Sequence, residues 1–92
     1  MKFSQSVQDF ERYLLLDMNR SANTIQSYRR DLAKFQAYLT EQEIDKVEAI
    51  DEVTVRAFLA KLSQASYAAS STSRMLSSLK QFFLFLRKEG IL

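Results

Sequence analysis

No proline and only one glycine, Gly90, punctuate this chain of 92 residues. Hairpins and tight turns draw on glycine for positive-φ positions and on proline for a preset φ. A β-rich fold would need many such turns. Long helices joined by polar connections are what the chain can build instead. With 47% hydrophobic and 12% aromatic residues, it can bury a core, and its length suits one small domain, residues 1–92.

Apolar spacing predicts four helical segments. The first spans roughly Ser4 to Asp17, with Phe3, Val7, Phe10, Leu14 and Met18 on one stripe and Ser4 or Ser6 as cap. The second runs from Ser21 or Asn23 to Leu39. Its apolar positions Ile25, Tyr28, Leu32, Phe35 and Leu39 alternate steps of three and four, the spacing of a bundle seam. After an acidic connection anchored by Ile44, Val47 and Ile50, a third helix starts at Asp51 or Thr54 and presents Val55, Phe58, Leu59 and Leu62. The stretch "SQASYAASS" breaks the period and reads as a loop, with Ser70 or Ser71 capping the fourth helix. That helix is expected to bury Met75, Leu76, Leu79, Phe82, Phe83 and Leu86 and to end at Gly90. The fold class is therefore all-α, a four-helix bundle.

Several chemistries are unsupported by the residues present. The chain has no Cys and no His, so thiolate chemistry, disulfides, and the commonest general base and zinc ligand are unavailable. No metal or cofactor is expected. Glu41 and Glu43 sit together in a polar connection with no sign of a pocket, so a solvated loop is the better reading than an acid–base pair. The longest apolar runs, "YLLL" and "FFLFL", are too short to span a bilayer, and no signal-peptide core is visible. A reducing, cytoplasmic setting without membrane contact is the expectation.

Charge is unevenly distributed. Net charge is only +2, yet residues 41–52 hold six acids and one base, leaving 12 bases against five acids elsewhere. Away from its core stripe, the second helix carries Asn23, Gln26, Ser27, Arg30 and Lys34. The fourth carries Ser70, Arg74, Ser77, Ser78, Gln81 and Lys88, with Lys80 on its flank. Polar strips on bundle helices are commonly solvated faces, but such faces mix both signs of charge, and acids are nearly missing here. Cations with short hydroxyls and amides suit phosphate and base-edge contacts on duplex DNA. The helix starts at Ser21–Thr24 and Ser70–Thr72 offer further N–H donors for phosphate.

The segments "NTIQSYRRDLAKFQAYL" and, some 30 residues later, "SSTSRMLSSLKQFFLFL" resemble the N-terminal core-binding domain of tyrosine site-specific recombinases, the Xer recombinases and related phage integrases above all. The resemblance extends from "FERYLLLD" to "RKEGIL". It implies a SAM-like four-helix bundle forming half of a clamp around DNA, with the second and fourth helices against the major groove. Carried over by position, it implies DNA contacts from Thr24, Ser27, Arg30, Arg74, Ser77, Lys80 and Gln81, to which the polar helix sides and starts add Asn23, Lys34 and Thr72. The chain departs from the pattern in having Lys80 and Gln81 where relatives often have Arg. The family's catalytic residues lie in a second, C-terminal domain, so this chain alone is expected to be inert, and Tyr28 is a packing residue rather than a nucleophile.

The same resemblance implies a parent protein acting as a tetramer on a site of two inverted half-sites. Chromosome dimer resolution is its leading role, and phage or transposon integration the alternative. A helical protein-interaction module that meets an acidic partner is the reading from another class. "FFLFL" is apolar nearly all round, which suits either a helix buried at the bundle centre or an interface, formed by Leu84 or Phe85, for a missing domain or neighbouring protomer.

Overall fold

The computed structural model describes residues 1–65 and 68–92. Four helices follow one another: α1 (Phe3–Leu16), α2 (Ala22–Glu41), α3 (Glu52–Gln64) and α4 (Ala69–Lys88), with a 3-10 turn at Val47–Ala49. No strand is present among the described residues, only an isolated antiparallel bridge between Lys2 and Lys46. Around that bridge, the Phe3 N–H donates to the Asp45 carbonyl at 2.8 Å and the Val47 N–H to the Met1 carbonyl at 3.1 Å. The beginning of the chain is thus fastened to the α2–α3 connection.

The predicted seams meet in one aromatic core. Phe10, Phe35 and Phe82 are essentially inaccessible, and Phe3 sets its ring edge-on to both Phe35 and Phe82 at 5.7 and 5.3 Å. Phe10 packs edge-on to Phe82 at 5.5 Å and to Tyr28 at 5.4 Å. Such edge-to-face pairs add about 0.5–1.5 kcal/mol each beyond area burial. α4 packs against each of the other three helices, so its apolar surface has to be the widest. Val47 is fully buried, and Ile44 and Ile50 pack half-buried against the same core, as the sequence predicts for the acidic connection.

The helix ends follow local chemistry. Ser21 caps α2, accepting the Thr24 N–H at 3.2 Å. Asp51 caps α3, accepting the Thr54 N–H at 2.8 Å and its hydroxyl at 2.7 Å. α2 and α4 finish in matching C-terminal motifs. After α4, Gly90 (φ +73°) donates to Arg87 and Ile91 to Leu86; after α2, Glu43 (φ +57°) donates to Thr40 and Ile44 to Leu39.

The structure corrects several expectations. α1 begins at Phe3 with Lys2 at its N-cap, so neither Ser4 nor Ser6 caps it, and the buried Ser6 hydroxyl donates instead to the Phe3 carbonyl at 2.6 Å. α4 begins at Ala69 with no side-chain cap, so Ser70 and Ser71 lie inside the helix. The predicted loop 63–71 shrinks accordingly, and its Ser66 and Tyr67 lie outside the described residues. Met18 follows the end of α1 and is exposed, and Leu76 is at the exposed margin of α4. Phe85, expected outside the main stripe, is 5% exposed: α1 covers it, with Phe10 and Tyr13 rings at 5.4 and 4.9 Å. Leu84 is 53% exposed, so "FFLFL" divides between core and surface.

Candidate nucleic-acid interface

α2 and α4 bring their polar sides together. A shallow cleft of about 230 Å³ between them is lined by Thr24, Ser27, Tyr28 and Asp31 from α2 and by Arg74, Ser77 and Ser78 from α4. Four of these, Thr24, Ser27, Arg74 and Ser77, are residues the sequence assigned to DNA. Asn23, Arg30 and Lys34 stand four before, three after and seven after Ser27 on α2, and therefore share its side of the helix. Gln81 stands four after Ser77 on α4. Asn23, Arg30, Lys34 and Gln81 are all exposed.

The arginine pair of α2 splits between two tasks. Arg29 turns toward α1 and donates from Nε and Nη2 to the two carboxylate oxygens of Glu11 at 2.8 and 3.2 Å. The Glu11 hydrogen bond, then its charge, raises the Arg29 pKa, so that guanidinium is more firmly protonated than usual. Arg30 has no ion-pair partner among the described residues and is exposed beside the cleft.

Beneath the cleft lies a residue the strip reading overlooked. Asp31 is 1% exposed; it accepts from Arg74 Nη2 on Oδ1 at 2.9 Å and from Ser78 Oγ on Oδ2 at 2.7 Å. Ser78, expected on the outer strip, is consequently buried at the α2–α4 contact. Asp31 is the one acid of α2 before its terminal Glu41, and α4 contains none. That isolated acid facing a long acid-free helix was the available sequence signal. With Asp31 buried, the lining of the cleft presents the Arg74 cation and the hydroxyls of Thr24, Ser27 and Ser77 without an exposed carboxylate, while the exposed Arg30, Lys34, Asn23 and Gln81 follow on the same helix sides.

Other assigned residues stand elsewhere. Thr72 lies in the groove between α3 and α4 with Leu59, Ser63 and Leu76. Lys80 borders a second, larger α3–α4 groove of about 440 Å³ whose apolar floor includes Val55, Leu79 and Phe83, and Leu84 lines the same groove. Lys88 lies over the Tyr13 ring at 4.9 Å, toward α1. The backbone N–H groups of Thr24 and Thr72 are already taken, by Ser21 Oγ and the Ala68 carbonyl, and so are not phosphate donors. No cluster of three metal-ligating side chains occurs among the described residues, and no helix there is long and apolar enough to cross a membrane.

Comparison with known proteins places this arrangement in context. Tyrosine recombinase XerC of Listeria welshimeri is 34% identical over 85 residues, covering 92% of this chain and 28% of that protein. Tyrosine recombinase XerD of Staphylococcus haemolyticus is 32% identical over 83 residues, covering 90% of the chain and again 28% of the relative. The chain therefore spans a little over a quarter of the length of these relatives. No solved structure matches. The sequence profile of the phage integrase N-terminal SAM-like domain matches residues 7–90, almost the whole of the four-helix bundle, and the chain belongs to that family.

Proposed function

We propose that this chain is a DNA-binding clamp domain, gripping duplex recombination-site DNA through the facing polar sides of α2 and α4. The observation that carries the reading is the shared cleft: Thr24 and Ser27 oppose Arg74 and Ser77 across it, and its one acid is buried and paired. Arg30 and Lys34 extend the cationic side along α2, and Asn23 and Gln81 supply amides of the kind that bond adenine edges. Phosphate contacts would provide affinity and these amides and hydroxyls any base preference. Family membership and the XerC and XerD names of the relatives support the same reading.

In a parent protein of that kind, a separate domain supplies the phosphodiester chemistry, and this domain needs no cofactor or catalytic residue of its own. Protomers would assemble as a tetramer on two inverted half-sites, with chromosome dimer resolution as the cellular role. Leu84, exposed on α4 away from the cleft, is the candidate contact for another domain or protomer.

The test is binding of labelled duplex by the unaltered chain and by the Arg30→Ala/Arg74→Ala double variant. The unaltered chain is expected to bind at about micromolar affinity or weaker near physiological salt. The double variant is expected to lose that binding near physiological salt, keeping only a weak remainder at low salt, with its helical circular dichroism intact. Undiminished binding by the double variant rejects the assigned face.

A further inference from the structure

We infer that Asp31 is a positioning residue for this interface: its buried carboxylate holds the Arg74 guanidinium in one orientation at the cleft surface, leaving the remaining N–H donors as a fixed fork for DNA. The inference rests on the DNA-clamping reading above and adds to it a division of labour between the two arginines beside the cleft.

Both oxygens of Asp31 are occupied, Oδ1 by Arg74 at 2.9 Å and Oδ2 by the Ser78 hydroxyl at 2.7 Å, so the carboxylate is fixed by two partners on α4. Only one guanidinium nitrogen, Nη2, is committed to it. A guanidinium has five N–H donors, and the Arg74 side chain remains 58% exposed while Asp31 is 1% exposed. The pair is buried at one end and open at the other. Sealing the α2–α4 contact would require no charge; Phe35 on the same helix meets Phe83 of α4 ring to ring at 6.4 Å, and a well-packed apolar residue generally stabilises as much as a buried ion pair. What an apolar residue cannot do is orient a guanidinium.

Orientation matters because an arginine recognises a phosphate or a guanine edge through two parallel N–H donors in one plane. An arginine ordered before binding avoids the entropy of ordering it on contact, an advantage of about 2- to 10-fold in affinity. Arg30, without an ion-pair partner among the described residues, has no such preparation and acts as a mobile counter-charge.

A double-mutant cycle on Asp31 and Arg74, read by fluorescence anisotropy on a short mixed-sequence duplex at low salt, tests this. Asp31→Asn keeps the side-chain volume and the acceptor for Ser78 while removing the charge that holds Arg74. It is expected to weaken binding by about 2- to 10-fold alone and to have no further effect in the Arg74→Ala background. Equal weakening in both backgrounds would indicate a structural effect, and unchanged affinity no effect; either overturns the inference. If the unaltered chain binds and Arg74→Ala weakens it while Asp31→Asn does not, the clamp reading stands and only this inference falls. If the unaltered chain does not bind duplex, both fall. Side-chain 15N relaxation of the unaltered protein gives a readout that needs no variant to fold: Arg74 Nε is expected to be more ordered than Arg30 Nε, and equal mobility overturns the proposal.

Discussion

The cationic side of the α2–α4 cleft sets a quantitative expectation for salt dependence. Three cations stand there, Arg30 and Lys34 on α2 and Arg74 on α4. If each neutralises one phosphate, counterion release gives a slope of log K against log salt of about −2.7. Raising salt from about 50 to about 200 mM then weakens binding by about 40-fold. Arg30→Ala with Arg74→Ala leaves one cation, a slope of about −0.9 and a loss of only about 3- to 4-fold over the same range. Lys80→Ala is the informative control, since Lys80 borders the α3–α4 groove rather than the cleft; its slope is expected to stay near that of the unaltered protein. Anisotropy titrations of one duplex at four or so salt concentrations measure all three. A double variant whose slope equals that of the unaltered chain, or a Lys80→Ala variant that loses as much slope as the double variant, would refute this choice of face.

Leu84→Ser is expected to raise solubility and leave thermal stability within about 0.5 kcal/mol, as for other surface changes, whereas Phe85→Ala removes a ring packed on Phe10 and Tyr13 and is expected to cost about 3–5 kcal/mol. Thermal melts of the two neighbours separate surface from core, and equal losses would contradict the division of "FFLFL". Glu43 holds φ +57° at the end of α2, a conformation glycine adopts without strain, so Glu43→Gly is expected to stabilise by about 1 kcal/mol, raising the melting temperature by about 4–8 °C; a lower melting temperature would contradict it. The Thr54 hydroxyl, then its N–H, lowers the Asp51 pKa below the ordinary value of 3.8. The ionised cap therefore stabilises the fold above that value and loses its contribution as pH falls through the lower folded-state pKa. The melting-temperature difference between the unaltered chain and Asp51→Ala is expected to shrink on acidification through that window, and a difference that grows would reverse the assignment.

The helices were legible because burial imposes a period on apolar residues, and on α2 that period singles out Ile25, Tyr28, Leu32, Phe35 and Leu39, of which all but the half-buried Tyr28 are buried. The caps at Ser21 and Asp51 were each legible as one of two candidates, beside Asn23 and Thr54, since each precedes an apolar run at the right spacing. The start of α4 was not: Ala68 stands at its N-cap without a side-chain acceptor, so the serines after it misled the reading. Phe85 lay beyond reach for another reason. One helix's period locates its main stripe, but how wide that stripe becomes depends on how many neighbours it meets, and α4 meets three. The cleft was half visible. Ser27, Arg74 and Ser77 emerged from polarity and Thr24 from the family resemblance, while Asp31 and Ser78 acquire their role only when α2 lies against α4. Thr72, read as part of the start of α4, and Lys80, read on the flank of its strip, stand toward α3, because a linear reading cannot tell which flank of α4 faces α2 and which faces α3.

α2 is also a spacer. From Ser27 to Glu41 it advances fourteen residues, about 21 Å at 1.5 Å each, and the acid-rich stretch 41–52 begins where it ends. Near physiological ionic strength the screening length is about 8 Å, so a phosphate at the cleft barely senses those carboxylates; at about 0.01 M it is about 30 Å and does. The domain would then behave as an electric dipole whose far pole pushes back, bending a log–log affinity plot below its straight line in very dilute buffer.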